Sequence, residues 1–169
     1  MKYLVIFLIT IFLAVVLCCC VVPVTYSYFT HKNAEFEYGK GFNPQRVQMG
    51  IPIIPESWEL WGVSGKRITW VFPQFSPTGD PAYPRYTKKQ IVISDDNIVT
   101  ETDYYEGLQE KVRSDGDRIR DEIEITCVYV PAEIKITECY ARYATFERDS
   151  NVSREEAIEV LNEWGIQYP

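Results

Sequence analysis

Two residue types in this 169-residue chain have side chains suited to chemistry, carboxylates in close pairs and cysteines. The acids pair at Asp95 and Asp96, Glu101 and Asp103, Asp115 and Asp117, and Asp121 and Glu122. Carboxylates so spaced can share a calcium ion, or divide into acid and base across a glycosidic bond. The run Ser114-Asp115-Gly116-Asp117 fails the EF-hand spacing, however, because Ile119 stands where a third ligand is required. In turn-like sequence, adjacent acids serve as turn formers or solvated charge, and the four pairs are read that way here.

Other catalytic classes lack their parts. The single histidine, His31, lies a few residues beyond an apolar stretch, so a Ser–His or Cys–His mechanism would rest on one badly placed base. No HExxH or CxxC pairing is present after that stretch to hold zinc. Walker, dinucleotide-glycine and G-x-S-x-G patterns are absent from the sequence as well. The expectation is therefore a protein without cofactor or metal that binds rather than catalyses.

Of the five cysteines, Cys18, Cys19 and Cys20 fall in the apolar stretch and read as small packing residues or acylation sites. Cys127 and Cys139 are twelve apart, across VYVPAEIKITE. Their midpoint is Glu133, so an antiparallel hairpin with an odd-numbered loop sets them directly opposite each other. A cross-strand disulfide follows if the side chains share a face, and such a bond suits an oxidising compartment.

The apolar stretch itself, YLVIFLITIFLAVVLCCCVVPV over residues 3–24, holds no charge. Its 22 residues as a helix reach about 33 Å, against about 30 Å of hydrocarbon. Pro23 stands at its far end, and Tyr26, Tyr28 and Phe29 follow at headgroup depth. The reading is an uncleaved single span. Its rivals are a lipoprotein signal acylated at one of the three cysteines and a cleaved secretory signal, for which the small-residue cleavage pattern is missing. All three readings set the remainder beyond the membrane, and an extracytoplasmic C-terminal domain is expected.

That remainder is acidic. From Thr30 onward there are 16 Lys and Arg against 24 Asp and Glu, a balance of −8. Such a surface is repelled by phosphate backbones, which argues against nucleic acid as a partner.

Several elements are expected to arrange these residues. Residues 30–55 show neither period and read as an irregular juxtamembrane connection. SWELWGV and KRITWVF, separated by Ser64-Gly65, read as a hairpin with Trp61 facing Ile68 and Glu59 facing Trp70. Four prolines, Pro73, Pro77, Pro81 and Pro84, exclude a central strand or helix and mark a loop. Its rings, with P-x-x-P spacing at 81–84, make Phe72, Phe75, Tyr83, Pro84 and Tyr86 the candidate binding residues.

QIVIS and IVTET flank a turn at Asp95-Asp96-Asn97 and read as a second hairpin. Residues 103–113 read as a helix on a cap-like Asp103-x-x-Glu106 and a fourfold repeat of Tyr104, Leu108 and Val112, with Gly107 against it. RIRDEIEITCVYV alternates as a half-buried strand, with Ile119, Ile123, Ile125, Cys127 and Tyr129 on one face, and IKITECYARYATF is its expected partner. Asn151-Val152-Ser153 matches the glycosylation tripeptide but overlaps a helix cap and is read as chance. Ser153-Arg154-Glu155-Glu156 opens a helix over 154–164, with Ala157, Val160, Leu161 and Trp164 as its apolar stripe and Gly165 as its stop.

The expected whole is an α+β protein: an anchor over 1–29, a connection over 30–55, and a domain over 56–169 of antiparallel hairpins with a C-terminal helix on the sheet. Its expected role is that of a membrane-anchored accessory protein of an envelope complex, held to the bilayer through residues 3–24 and to a protein partner. The alternatives are an acidic inhibitor or immunity-type protein that occludes a basic toxin or enzyme, and a carboxylate-dependent hydrolase.

Overall fold

A computed structural model describes residues 2, 7, 9, 11, 37–71, 85–107, 121–145, 147 and 149–169. Seven antiparallel strands follow one another in chain order across a single sheet. They are β1 (Glu59–Ser64), β2 (Arg67–Val71), β3 (Arg85–Ile93), β4 (Val99–Gly107), β5 (Asp121–Val130), β6 (Lys135–Ala144) and β7 (Asp149–Val152). Among the described residues from 37 on, two helices, α1 (Asn43–Met49) and α2 (Arg154–Glu163), complete the α+β domain. Alternate residues of the central strands point to one covered face, where Ile68, Trp70, Ile91, Val99, Ile123, Ile125 and Tyr129 meet Phe42, Ile51 and Ile54 from before the sheet and Ala157 and Leu161 from α2.

Helix α2 forms as its sequence requires. The Ser153 side chain accepts from the Glu156 backbone N–H at 3.0 Å, satisfying a donor that the helix start leaves open. At the other end Gly165 takes φ 76°, with Gly165 N donating to Asn162 O and Ile166 N to Leu161 O, both at 2.9 Å. That pair of bonds is the Schellman stop, which favours glycine because the left-handed backbone crowds a Cβ. Ala157 and Leu161 are buried, while Val160 and Trp164 pack at the margin of the core.

The sheet departs from expectation in three places. In the first hairpin the turn is Gly65-Lys66, one residue later than expected, and Val63 pairs with Ile68. Gly65 has φ 58°, which suits glycine at the first central position of a two-residue turn. An irregularity between Leu60 and Gly62 then displaces Trp61, which is exposed and does not face Ile68. Second, residues 103–107, expected to open a helix, continue β4; residues 108–113 lie outside the described residues. Third, the stretch expected as an irregular connection contains, from residue 37 on, a short 3-10 turn (Lys40–Phe42) and α1, with Pro44 in its first turn and Gly50 at φ 68° closing it. The Asn43 side chain bonds both the carbonyl and the N–H of Ile54, at 2.8 and 2.9 Å, folding this stretch back over the sheet.

Of the expected membrane segment, Phe7, Ile9 and Ile11 are described, and each is helical and exposed. Among the described residues no helix is long and apolar enough to cross a membrane.

Candidate functional site

Under α1, the middle of the covered face is charged. Strand β4 turns Val99, Glu101, Asp103, Tyr105 and Gly107 inward, and β3 brings Lys89 beside Asp103. Arg46 of α1 descends onto them, so that Arg46, Lys89, Glu101 and Asp103 are all buried. Arg46 Nε donates to Glu101 at 2.9 and 3.2 Å to its two oxygens, and its Nη atoms donate to the carbonyls of Gly39 at 2.6 Å and Tyr38 at 2.5 Å. Lys89 Nζ bonds Glu101 and lies 2.7 Å from Asp103. The hydroxyl of Tyr129 donates to Glu101 at 2.8 Å, and that of Tyr86 donates to Asp103.

Two cations and two anions cancel. Buried charge is tolerated where it is paired and hydrogen-bonded, and both conditions are met. Burial alone would raise the Glu101 carboxyl, but Lys89 and Arg46 together hold it down to about 2. Asp103 is raised, chiefly by burial and further by the Glu101 charge, against the pull of Lys89. Burial and the neighbouring Asp103 push the Tyr86 hydroxyl well up, so it stays a donor. Glu101 and Asp103, expected as solvated charge, are instead enclosed and committed to partners.

Tyr86 is the one candidate ring of the Pro-rich loop within the described residues; Phe72, Phe75, Tyr83 and Pro84 lie outside them. Its ring sits 4.3 Å from that of Trp58 and 4.9 Å from that of Tyr105. The structure thus directs Tyr86 toward the charged cluster.

The opposite face carries a groove of about 290 Å³ lined by Val71, Thr87, Lys88, Tyr104, Glu106, Glu122 and Glu124 among others. Lys88 Nζ stands 3.7 Å over the Tyr104 ring, a cation–π contact. Glu106 and Glu122 are direct cross-strand neighbours, an arrangement of like charges that opposes strand pairing. Glu124 is engaged by Arg142 at 3.2 Å, which also grips Asp149 at 2.8 and 2.7 Å. Three carboxylates thus line the groove with the Lys88 ammonium, and the Arg142 guanidinium meets one of them, Glu124.

Cys127 and Cys139 are directly opposed in the β5–β6 ladder, with Cα atoms 4.2 Å apart and sulfurs at disulfide distance. The route to that register differs from the expected odd loop. The connection from Val130 to Lys135 has four residues, and a bulge between Val128 and Tyr129 leaves Thr137 unpaired, its hydroxyl donating to Val128 O at 2.9 Å. The extra residue shifts the ladder by one, turning the odd register sum beside the four-residue loop into the even sum on which the cysteine pairing depends.

Among the described residues no group of three or more His, Cys, Asp and Glu side chains is placed to hold a metal ion. No family model, curated protein or solved structure matches this chain.

Proposed function

We propose that this chain is a membrane-anchored extracytoplasmic binding protein, an accessory member of an envelope complex that meets a basic protein partner through the outer groove. The observation that carries the reading is the placement of the acids: Glu101 and Asp103 are enclosed with Arg46 and Lys89, while the exposed Glu122 lines a concave outer surface beside Glu106 and Glu124. Complementary charge of this kind speeds encounter and selects partners. Enclosure of Glu101 and Asp103 also counts against the hydrolase alternative for that pair, since a carboxylate held by two cations cannot reach a substrate. The uncharged run over 3–24 supports an anchor that supplies location alone.

The test is co-purification of full-length protein in mild detergent, comparing the unaltered chain with Glu122→Lys and Glu124→Lys variants across a salt series. A companion held by the unaltered chain, weakened by salt and lost from both variants, is the expected result; a companion indifferent to salt and to both charges would overturn it. The acidic inhibitor reading shares the groove and differs in consequence. It requires that the companion be an enzyme or toxin whose activity falls on binding.

A further inference from the structure

We infer that the strap over residues 41–55 is an interaction surface for the bilayer, lying against a zwitterionic lipid surface on the side of the domain opposite the outer groove. The inference rests on the anchored reading of residues 3–24. Its first observation is where charge is placed. In GFNPQRVQMGIPIIP the one charged side chain is Arg46, and it is turned inward and fully buried. The exposed positions are Gly41, Pro44, Val47, Gln48 and Ile53, so the strap shows solvent an uncharged surface in a chain that is 24% charged. Pro44, Val47 and Gln48 stand at i, i+3 and i+4, which is one face of α1. Val47 is 66% exposed and Ile53 43%, and the bonds between Asn43 and Ile54 hold Ile53 alongside that helix.

Apolar residues scattered over a surface need no partner, but here chain connectivity supplies a second observation. Residues 25–36, twelve in all, join the uncharged run to Glu37, where the described domain begins. Twelve residues reach at most about 40 Å, so the strap is never far from the lipid that holds the anchor. Charge decides the class of lipid. Anionic headgroups attract basic segments, whereas this strap exposes no cation and the chain from Thr30 onward carries −8. Contact is therefore made by apolar side chains at the headgroup boundary, as interfacial helices make it. Charges border the surface: Lys40 donates to Glu56 O at 2.7 Å at one end, and Arg154 and Glu155 share a groove with Met49 at the other. With the strap against lipid, the groove lined by Glu122 points away from the membrane and toward a partner.

The test is spin labelling of the full chain in phosphatidylcholine vesicles, with Cys18, Cys19 and Cys20 changed to alanine. Single cysteines are introduced as Val47→Cys, Gln48→Cys and Ile53→Cys, with Glu122→Cys on the outer face as reference. Collision of each label with oxygen, which concentrates in lipid, is compared with collision with a water-soluble nickel chelate. The ratio of oxygen to nickel collisions is expected to be severalfold higher at 47, 48 and 53 than at 122, and unmoved by salt, since the contact uses no ion pair. Equal ratios at all four positions, or ratios that fall to the reference in high salt, would overturn the inference. So would strap labels shielded from both agents, which mark a protein contact instead. Flotation of the unaltered chain with the vesicles reads the anchor separately. A chain that floats while its strap labels stay in water defeats the lipid contact and spares the anchor; one that does not float defeats both. All three strap positions are exposed, and the other two labels carry the result if one variant folds poorly.

Discussion

On the covered face of the sheet, Arg46, Lys89, Glu101 and Asp103 are enclosed and cancel one another; on the opposite face, Glu106, Glu122 and Glu124 line a groove with Lys88, and Arg142 engages Glu124. The same residue types do different work in the two places. Inside, each charge is tolerable only because the others are present, so the cluster ties α1 to β3 and β4. Outside, water screens each charge, so an exposed acid such as Glu122 is tolerated without an enclosed counterion.

The comparison breaks most visibly at Glu101. Glu101→Leu leaves Arg46 and Lys89 with one carboxylate between them, an uncompensated buried charge worth about 3–5 kcal/mol. Urea titration of the full chain should show a much lower midpoint, and Arg46→Met combined with Glu101→Leu should recover part of the loss. The dependence on pH follows the same pair. Glu101 titrates near 2 when folded against an ordinary 4.5, so the folded state binds fewer protons in that window. Its stabilisation is therefore complete above 4.5 and drains as pH falls toward 2. Asp103 has the opposite sign: raised above its ordinary 3.8, its contribution is full below 3.8 and is lost as pH rises through the folded value. Glu101→Gln should flatten the acid limb of stability, and Asp103→Asn should steepen it.

At the margin of the covered face, the cross-link should matter somewhat less. Replacing Cys127 and Cys139 together by serine should cost about 2–4 kcal/mol, because the bridge closes a short loop between strands already paired. A midpoint that failed to move would mean that the thiols are unbridged. Next in size is Gly107→Ala. A Cβ there would lie 2.6 Å from Cζ2 of the Trp164 ring, and a rigid indole between strand and helix cannot yield cheaply. Overpacking of this kind costs roughly 1–3 kcal/mol, readable as a fall in thermal midpoint.

How much of this was visible in the residues depends on whether local chemistry or distant partners decided the matter. Ser153 and Gly165 bracket α2 by bonds within the helix, and the Asp95-Asp96-Asn97 turn, with Asn97 at φ 58°, is equally local. Strand β5 follows its alternation with Ile123, Ile125, Cys127 and Tyr129 inward, although Thr126 on the other face is buried as well. The first half of β4 read correctly as strand in IVTET, but its second half and its covered face stayed hidden because two of its inward residues are Glu101 and Asp103, which a hydrophobic pattern scores as solvent-facing. Only knowledge that Arg46, 55 residues earlier, and Lys89 would meet them could have reversed that reading. A faint signal existed in the inward apolar partners of the same period, Val99 and Tyr105. Bulges were invisible for the same reason: the unpaired Thr137 and the displaced Trp61 are settled by neighbouring strands, not by their own sequence.

The smallest expected effect separates the two faces most sharply. Glu106 and Glu122 are directly opposed on the outer face, where like charges oppose pairing by roughly 0.2–1 kcal/mol. Glu122→Lys converts repulsion into attraction across β4 and β5. It should therefore raise stability slightly, by an amount within that range, measured as a small upward shift in urea midpoint. If the groove serves a basic partner, the same substitution should weaken that association and reduce its salt dependence, since a positive side chain replaces one of three acids. A gain in stability with a loss in binding is the signature of a charge kept for recognition. A gain in stability with unchanged binding would move the partner site elsewhere on the domain, and a loss of stability would show that Glu122 belongs with the interior acids rather than opposite them.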